Sequence, residues 1–393
     1  MGGLRPVAGA ASAAPVGEPG CTFGVEEEFL VADGSGRAAP DAEAVLCALA
    51  GDPSEVCYQP ELISSQVEIA TGVCTEAGEL ERQLLLGRGR LADIAAGGGL
   101  RVLAAGTPPL PGYAAVSAGD RYARVARTFG AVASDYQACG CHVHVGVADR
   151  ELAVRVLNHL RPWLPVLLAL GVNSPLHQGS DTGYGSWRIV QQSRFPVSGP
   201  PPWFADPADY EEQVGRLVEC GALVDRAQTF WLARLSPHLP TVELRVADTA
   251  LTAREAVAQA ALARALVRAA AAEVEAGREA PPVREHSARA ALWCAARRGL
   301  DGRGLGLPED RPVPAAELVQ RLFAFVRPQL AETGDLALVK ASLTDLLRDG
   351  PGARRQRAAA AAGRRALLDL LSLRGDGTAA QEIPAARVEA PWE

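Results

Sequence analysis

A stretch near the N-terminus, Thr22-Phe23-Gly24-Val25-Glu26-Glu27-Glu28-Phe29-Leu30-Val31, has the apolar content of a β-strand but carries three consecutive glutamates. Successive side chains of a strand point to opposite faces, so Glu26 and Glu28 are predicted to share one face while Glu27 lies on the other. Two carboxylates spaced in this way lie about 7 Å apart and repel by roughly 2–3 kcal/mol at an effective dielectric constant of about 20. They form either a solvated surface or one wall of a cation site, and their neighbours decide which.

The composition indicates a globular protein and excludes several classes of function. The chain has 393 residues, 48% of them hydrophobic, and a net charge of −7, so nothing favours binding to nucleic acid or to an anionic membrane. Lys340 is the only lysine and there is no G-x-x-x-x-G-K-[ST] loop, so a phosphate must be bound by arginine, backbone or metal. Scattered cysteines, no signal-peptide run in residues 1–20 and no apolar run of roughly 18 residues predict a reduced, cytoplasmic protein.

Three further stretches alternate between apolar and polar residues in the same way. Each is predicted to be a strand with one apolar face and one polar face. They are QVEIA (66–70), with Glu68 on its polar face and Glu61 where the chain enters it; CGCHVHVGV (139–147), with His142 and His144; and TVELRVAD (241–248), with Glu243 and Arg245.

The rest of the chain is predicted to be mainly helical, and no internal repeat or linker divides it. The helices are expected at 41–50, 76–96, 120–133, 149–171, 207–224, 252–275, 285–298, 314–326, 335–348 and 353–372. Pro162 and Pro165 are expected to kink the helix over 149–171. A long stretch without periodicity, residues 173–204, is rich in arginine and aromatic residues and is expected to be a functional loop. We expect a flexible N-terminal extension over 1–20, a single catalytic domain over 21–372 and a loose C-terminal tail over 373–393.

A sheet that is covered by helices on one side would gather all these polar groups on its other face. Several carboxylates and an imidazole that face one another favour a hard divalent cation, and Mg²⁺ prefers oxygen ligands and keeps water molecules that substrate phosphates can replace. An arginine two residues from a ligating glutamate, as Arg245 is from Glu243, suits the stabilisation of a phosphoryl group in transfer. Agreement between four strands makes a merely solvated surface the weaker interpretation.

The motifs resemble the bacterial carboxylate–amine ligase family related to glutamate–cysteine ligase (gamma-glutamylcysteine synthetase). They run in the family's order: GVEEEF (24–29), QVEIATGVC (66–74), CGCHVHVGV (139–147), NSP…DTGYGSWR (173–188), SRFP…GPPPWF (193–204), VELRVAD (242–248) and GARRQR (352–357). The resemblance implies an α+β fold, in which a curved antiparallel sheet forms a funnel with helices on its outer face, similar to the catalytic domain of glutamine synthetase. It also implies an enzyme that uses ATP to convert a carboxylate into an acyl phosphate, which an amine then attacks.

The resemblance further implies two or three Mg²⁺ ions and roles for individual residues. Six residues occupy metal-ligand positions: Glu26, Glu28, Glu61, Glu68, His142 and Glu243. The expected catalytic residues are Arg245, which resembles the arginine that meets the transferred phosphoryl group, Glu28 and Glu68; the expected nucleotide-binding residues are Arg245, Glu61 and Glu243. The expected substrate contacts are His144, Tyr184, Trp187 and Arg188, although a structural role for the loop that carries the last three is an equal alternative.

Other functions stay open at this point. Cys139 and Cys141 beside His142 and His144 suggest a zinc hydrolase, but alternation places thiols and imidazoles on opposite faces, so buried core cysteines are the better interpretation. A non-catalytic nucleotide-binding relative is a third hypothesis. Glu27 is expected to form a structural ion pair. The expected partners are a small-molecule carboxylate and an amine, by default glutamate and cysteine, with no nucleic acid and no membrane; the resemblance is also compatible with a homodimer.

Overall fold

A seven-stranded antiparallel sheet lies at the centre of the computed structural model, which describes residues 17–377. The strands of the described residues are β1 Phe23–Ala32, β2 Cys57–Pro60, β3 Gln66–Ala70, β4 Arg101–Leu103, β5 Gly140–Gly146, β6 Leu176–His177, β7 Ser180–Asp181, β8 Ser198–Gly199, β9 Phe230–Trp231, β10 Ala233–Leu235, β11 Thr241–Asp248, β12 Arg303–Gly306 and β13 Arg311–Pro314. The main sheet has the order β10-β11-β5-β1-β3-β2, and β4 pairs with the far end of β1.

Fourteen α-helices surround this sheet within residues 17–377. They are α1 Ala42–Leu49, α2 Ala77–Gly97, α3 Asp120–Phe129, α4 Ala131–Ser134, α5 Arg150–Leu160, α6 Leu164–Leu170, α7 Trp187–Gln192, α8 Pro207–Glu219, α9 Ala253–Glu275, α10 Glu285–Arg298, α11 Ala315–Glu332, α12 Leu336–Asp349, α13 Gly352–Ala361 and α14 Arg364–Leu371. A short 3₁₀ helix spans Arg226–Gln228. The prediction of an α+β fold built on an antiparallel sheet is confirmed.

Several predicted helix boundaries are wrong, each for a local reason. The predicted helix 353–372 is two helices, because Gly363 between α13 and α14 has φ of 116°, a conformation that no right-handed helix contains. The predicted helix 149–171 is divided between α5 and α6 at its two prolines, where a kink was predicted: Pro162 follows α5, and Pro165 lies in the first turn of α6. In contrast, α11 continues to Glu332 past Pro328, since its buried side chains hold it against the core on both sides of the proline.

One face of the sheet packs against helices and forms the main hydrophobic core. The alternating apolar residues that the sequence predicted are all buried there: Val25, Phe29, Val67, Ile69, Cys141, Val143 and Leu244. Helix α9 covers this face, contacting β1 and β5. Its many buried alanines let its backbone approach the strands closely. Burial of this face leaves the other face of the sheet for the polar side chains.

The polar face of β1 is closed at one end by a second, smaller core. Along the series Glu26, Glu28, Leu30, Ala32 the side chains change from carboxylates to buried apolar groups. Leu30 and Ala32 pack with side chains from β4, β6 and α14, namely Leu103, Leu176, Leu368 and Leu371. The carboxylates are therefore bounded by an apolar wall on one side, which restricts water and strengthens electrostatic interactions among them.

Glu27, the middle glutamate, forms the structural ion pair that alternation predicted. It points into the main core, where the Arg88 guanidinium of α2 donates to both of its oxygens at 2.8 and 2.5 Å, and both side chains are completely buried. Arg88 also lies over the ring of Phe29, 5.3 Å from its centroid. Because both charged groups are buried away from water, each is stabilised in the fold by the opposite charge of the other.

Replacing Glu27 with glutamine is therefore expected to destabilise the fold by about 3–5 kcal/mol, since it leaves the Arg88 charge buried without a counter-ion. Chemical denaturation measures the free energy of unfolding. A matched control is Glu55→Gln, which breaks the exposed pair between Glu55 and Arg82 and should change stability little. Equal stabilities of the two variants would contradict a structural role for Glu27.

The chain ends that the structure describes are tied to the domain. The N–H of Gly20 donates to the carbonyl of Gly146 at 2.8 Å, and the buried Leu373 donates its N–H to Val102 at 2.9 Å. The rest of the predicted extension (1–16) and tail (378–393) lies outside the described residues, and the division into extension, domain and tail stays a prediction. No helix in residues 17–377 is long and apolar enough to cross a membrane.

Candidate active site

Cross-strand pairing brings the predicted polar side chains together on the open face of the sheet. Side chains that lie directly opposite each other in an antiparallel pair have Cβ atoms about 4.5–5.5 Å apart. From β3 across to β11, the opposed pairs are Glu68–Glu28, Glu26–His142 and His144–Glu243. Alternation that the sequence showed in four separate strands thus becomes one continuous polar surface.

Five of the six predicted metal ligands fall into two trios that could each hold a metal ion. Within each trio, one ligating atom per residue lies within 4.8 Å of the others. The trios are Glu28, Glu68 and His142, and Glu26, His142 and Glu243. The sixth residue, Glu61, belongs to neither; it lies in the loop between β2 and β3, where its Oε2 accepts the N–H of Leu62 at 2.7 Å.

The two carboxylates of the first trio are buried close to other carboxylates, which disfavours their ionised form. Burial, together with Glu61, raises the pKa of Glu28 to about 8, although Arg188 and Arg245 oppose the shift. Burial also raises the pKa of Glu68 well above its usual value, and the carboxylates of Glu26 and Glu61 add to this effect. Buried carboxylates that take up protons because they lie close together are suited to a divalent cation, so the donor set fits Mg²⁺.

His142 is shared by the two trios and is neutral. Burial and the nearby Arg245 lower the pKa of His142 to about 3, so its ring offers a lone pair rather than a positive charge. Nδ1 lies 3.4 Å from Glu26, and Nε2 lies 3.7 Å from Glu28. Because a neutral imidazole has only one nitrogen lone pair, His142 can complete one trio at a time.

His144 balances the charge of Glu26 at the other side of the polar surface. Its Nε2 lies 3.3 Å from Glu26, and its Nδ1 lies 2.9 Å from the Thr241 hydroxyl. Burial alone would lower the pKa of His144, but Glu26 and Glu243 raise it. Burial alone would raise the pKa of Glu26, but His144 and His142 hold it well below its usual range. Glu26 is therefore ionised, whereas Glu28 and Glu68 are prone to protonation.

Glu243 lies between two arginines. Arg234 donates to both of its oxygens at 2.6 and 3.1 Å, and Arg245 contacts the Oε1 atom of the same carboxylate. Burial would raise the pKa of Glu243, but the two guanidinium groups hold it far below its usual range. Arg245 also lies 3.3 Å from His142 Nδ1, so it joins the two trios.

The sequence interpretation missed Arg234. It lies on β10, directly opposite Glu243, and Ala227 and Thr229 accept further hydrogen bonds from it. At three residues, β10 is too short to show alternation. The signal that could have found Arg234 is its distance of nine residues from Glu243, which suits a hairpin that ends in a Pro-rich turn.

The long loop divides the predicted substrate contacts. Arg188 reaches the polar surface, where its Nη2 lies 3.4 Å from His142 Nε2, although the side chain is buried. Tyr184 and Trp187 lie instead in an aromatic cluster with Trp293 of α10, whose Nε1 donates to the Tyr184 hydroxyl at 3.2 Å. Within the described residues, their contacts favour the structural alternative for these two aromatic side chains.

The arrangement does not favour a zinc site at the cysteines. Cys141 is buried in the main core, and Cys139, which precedes β5, lies in the smaller core with its Sγ 3.2 Å from Gln66 Nε2. Burial raises the pKa of both thiols well above the usual value. No cysteine of residues 17–377 belongs to a group that could hold a metal ion. The prediction of buried core cysteines is confirmed, although the two thiols lie in different clusters.

Comparisons with known proteins add a family and a fold to this geometry. The model of "Glutamate-cysteine ligase family 2" matches residues 22–373. A protein of Saccharopolyspora erythraea with the provisional name glutamate–cysteine ligase 2-2 is 53% identical over 349 residues, which cover 88% of this chain and 89% of the relative. A protein of Salinispora arenicola with the provisional name glutamate–cysteine ligase 2 is 45% identical over 338 residues, covering 86% and 89%.

Two solved structures share the fold at low identity. A glutamate–cysteine ligase of Francisella tularensis in complex with AMP has a TM-score of 0.68 and 14% identity, covering 89% of this chain and 87% of that one. A bifunctional glutathione synthetase of Pasteurella multocida has a TM-score of 0.63 and 15% identity, covering 89% of this chain and 50% of that one. At these identities the likeness concerns the fold alone.

Proposed function

Because the chain belongs to glutamate-cysteine ligase family 2, as its motifs predicted, we propose that it is an ATP-dependent carboxylate–amine ligase with glutamate and cysteine as its default substrates. In this reaction a carboxylate oxygen of one substrate attacks the γ-phosphorus of ATP, and the bond to the ADP oxygen breaks. The amine nitrogen of the other substrate then attacks the acyl carbon, loses a proton and displaces phosphate, so that an amide forms.

The observation that carries the proposal is a cluster of carboxylates and one imidazole that could hold metal ions and that Arg245 contacts directly. Phosphoryl transfer depends on charge stabilisation more than on covalent chemistry. The charge to be stabilised lies on the oxygens of the transferred group and on the attacking and leaving oxygens. The surface supplies ligands for cations on β1, β3 and β5 and a permanent positive charge on β11. In a simple surface salt-bridge network, by contrast, burial would not raise the pKa values of Glu28 and Glu68.

We propose Mg²⁺ as the cation, with two or three ions, because carboxylates dominate the donor set. When bound, such ions would neutralise the oxygens of the phosphates and orient them. Glu28 and Glu68 with His142 would hold one ion, since their charge is the least compensated. Glu26 and Glu243 are proposed ligands of a second, and Glu61, whose carboxylate raises the pKa values of Glu28 and Glu68, is a further proposed ligand.

The chain's own side chains have separate roles in this proposal. Arg245 meets the charge that develops on the transferred phosphoryl group, since its guanidinium already contacts the ligand carboxylate Glu243. His144, whose pKa Glu26 and Glu243 raise, is a proposed contact for a substrate carboxylate. A cytoplasmic location, a homodimer and the exclusion of nucleic acid remain part of the proposal.

An assay of ADP release across pairs of amino acids and amines tests the function. We expect ADP formation with glutamate and cysteine that requires both substrates, is abolished by EDTA and is restored by Mg²⁺. No ADP formation with any pair, in a folded and Mg²⁺-loaded sample, would contradict the proposal. Tightly bound stoichiometric zinc in the purified protein would instead revive the hydrolase alternative.

Glu68→Gln is expected to lower kcat by at least about 100-fold, because a metal ion supplies several kcal/mol of transition-state charge stabilisation. Glutamine keeps the size of the side chain and removes its repulsion with Glu28, so the fold should persist, which circular dichroism and the melting temperature check. Glu212→Gln, on an exposed part of α8, is the matched control with unchanged activity. Wild-type turnover in Glu68→Gln would show that the assigned site is wrong.

A further inference from the structure

Asp248, a buried carboxylate that the sequence interpretation did not select, lies behind Arg188. It is the last residue of β11 and is 1% exposed. Both of its oxygens are hydrogen-bonded. The Ser186 hydroxyl donates to Oδ1 at 2.7 Å, and Oδ2 accepts from the Ser174 hydroxyl at 2.7 Å and the Asn173 N–H at 2.8 Å. A small carboxylate with three donors inside a protein is a rigid anchor.

The two serines transmit this restraint to α7, the helix that carries Arg188. Because each hydroxyl gives its single hydrogen to Asp248, its lone pairs face the start of the helix. Ser174 Oγ accepts the N–H of Arg188 at 3.1 Å, and Ser186 Oγ caps the helix by accepting the N–H of Ile189 at 3.3 Å. Asp248 therefore fixes the backbone from which the Arg188 side chain starts.

The Arg188 side chain extends from Asp248 to the polar surface. Its Nη1 lies 4.0 Å from Asp248 Oδ1, and its Nη2 donates to the carbonyl of Arg245 at 3.1 Å and lies 3.4 Å from His142 Nε2. Glycine at position 140 leaves the necessary room, because a Cβ there would lie 2.8 Å from the Arg188 Cζ. The guanidinium thus contacts a shared metal-ligand candidate and the strand that carries Arg245.

We propose that Asp248, acting through Ser174 and Ser186, is a positioning residue that holds Arg188 against His142 and the β11 backbone. The inference rests on the proposed ligase function and extends it. If Arg188 moves, it no longer restrains the His142 ring or the backbone of Arg245, although every candidate metal ligand is still present. Partners that orient a ligating histidine typically change activity or metal affinity by about 10–100-fold when they are replaced.

The test compares Asp248→Asn with a matched control, Asp335→Asn. Asp335 is also buried, pairs with Arg264 at 2.5 Å and accepts from the Thr333 hydroxyl at 2.8 Å. It directly precedes α12 and its partner Arg264 lies on α9, so the pair is away from the polar surface. We expect Asp248→Asn to lower kcat for ADP formation by about 10–100-fold with the KM values for the amino acids little changed. Asp335→Asn should lower the melting temperature and leave kcat of the folded enzyme unchanged.

A double-mutant cycle separates positioning from general damage. In an Arg188→Ala background, Asp248→Asn should cost less than about twofold in kcat, because the side chain that it positions is already absent. The same loss in both backgrounds would overturn the inference.

Hydrogen exchange without substrates tests the inference independently of ligase activity. Peptides that cover residues 186–192 contain the amides of Arg188 and Ile189, and these should exchange about tenfold faster in Asp248→Asn but not in Asp335→Asn. Unchanged exchange at 186–192, or an equal increase in both variants, would overturn the positioning role. If the wild-type protein forms no ADP with any pair, the proposed function fails, and the exchange result alone decides the role of Asp248.

Discussion

Replacing Arg245 with alanine is expected to lower kcat for ADP formation by about 10²–10³-fold, the effect of removing a charge-stabilising donor from an active site. Burial alone would lower the pKa of Arg245, but Glu243 and Glu28 raise it above its usual value, so the guanidinium is positively charged throughout the accessible pH range. Its contact with His142 Nδ1 places that charge beside both candidate metal trios. Steady-state kinetics with Mg²⁺-ATP and the two amino acids measures the loss.

The fold should survive this substitution, because Glu243 keeps both hydrogen bonds from Arg234 and is not left as an unpaired buried charge. Arg245→Lys is the matched variant: it retains a positive charge but cannot contact Glu243 and a phosphoryl group with separate nitrogens, so an intermediate kcat is expected. A folded Arg245→Ala protein with wild-type kcat would remove Arg245 from the proposed mechanism.

The polar surface could be predicted from the sequence because its ligands follow the period of the strands. A register shift by one residue would turn Glu26 and Glu28 into the core, so the apolar residues on either side of them, Val25 and Phe29, fix which side chains face outward. That argument gave Glu68, His142 and Glu243 the same face before their pairing was known. It also separated Glu27, which the structure places in an ion pair with Arg88.

The parts that could not be predicted depend on contacts between distant segments. Arg234 lies on a strand too short to show a pattern, and only the register of β10 against β11 places it opposite Glu243. Asp248 has the same parity along β11 as the apolar Val242 and Val246, so alternation alone would place it on the core face. A β-bulge between Leu244 and Ala247 changes the register, and the two serines that bind Asp248 are 62 and 74 residues away in the chain. Tyr184 and Trp187 share a motif with Arg188 but point into a different cluster, because the turn into α7 separates neighbouring side chains.

The stability of the metal-free protein is expected to fall as the pH rises from about 6.5 to about 8, which follows from the raised pKa of Glu28; below about pH 6.5 the lowered pKa of His142 acts in the opposite direction. In this window the carboxyl group is ionised in the unfolded chain but still protonated in the folded protein. Because the native state binds more protons than the unfolded state, its stability falls as the pH rises. Over this window the loss in the free energy of unfolding that Glu28 causes is at most about 2 kcal/mol. Glu68, whose pKa is also raised, acts in the same direction.

Mg²⁺ should reverse this loss, because a cation stabilises the ionised carboxylates that the metal-free fold disfavours. We therefore expect the gain in melting temperature on adding saturating Mg²⁺ to be several degrees larger at about pH 9 than at about pH 6. The pKa of His144 is also raised, so its contribution to the free energy of unfolding falls as the pH rises. Because His144 does not belong to the trio of Glu28, Glu68 and His142, this contribution does not depend on the ion that the trio would hold. Glu68→Gln separates the two effects: it should weaken the Mg²⁺-dependent gain and leave the contribution of His144 in place. A Mg²⁺-dependent gain that is independent of pH, or that survives unchanged in Glu68→Gln, would mean that these carboxylates do not hold the ion.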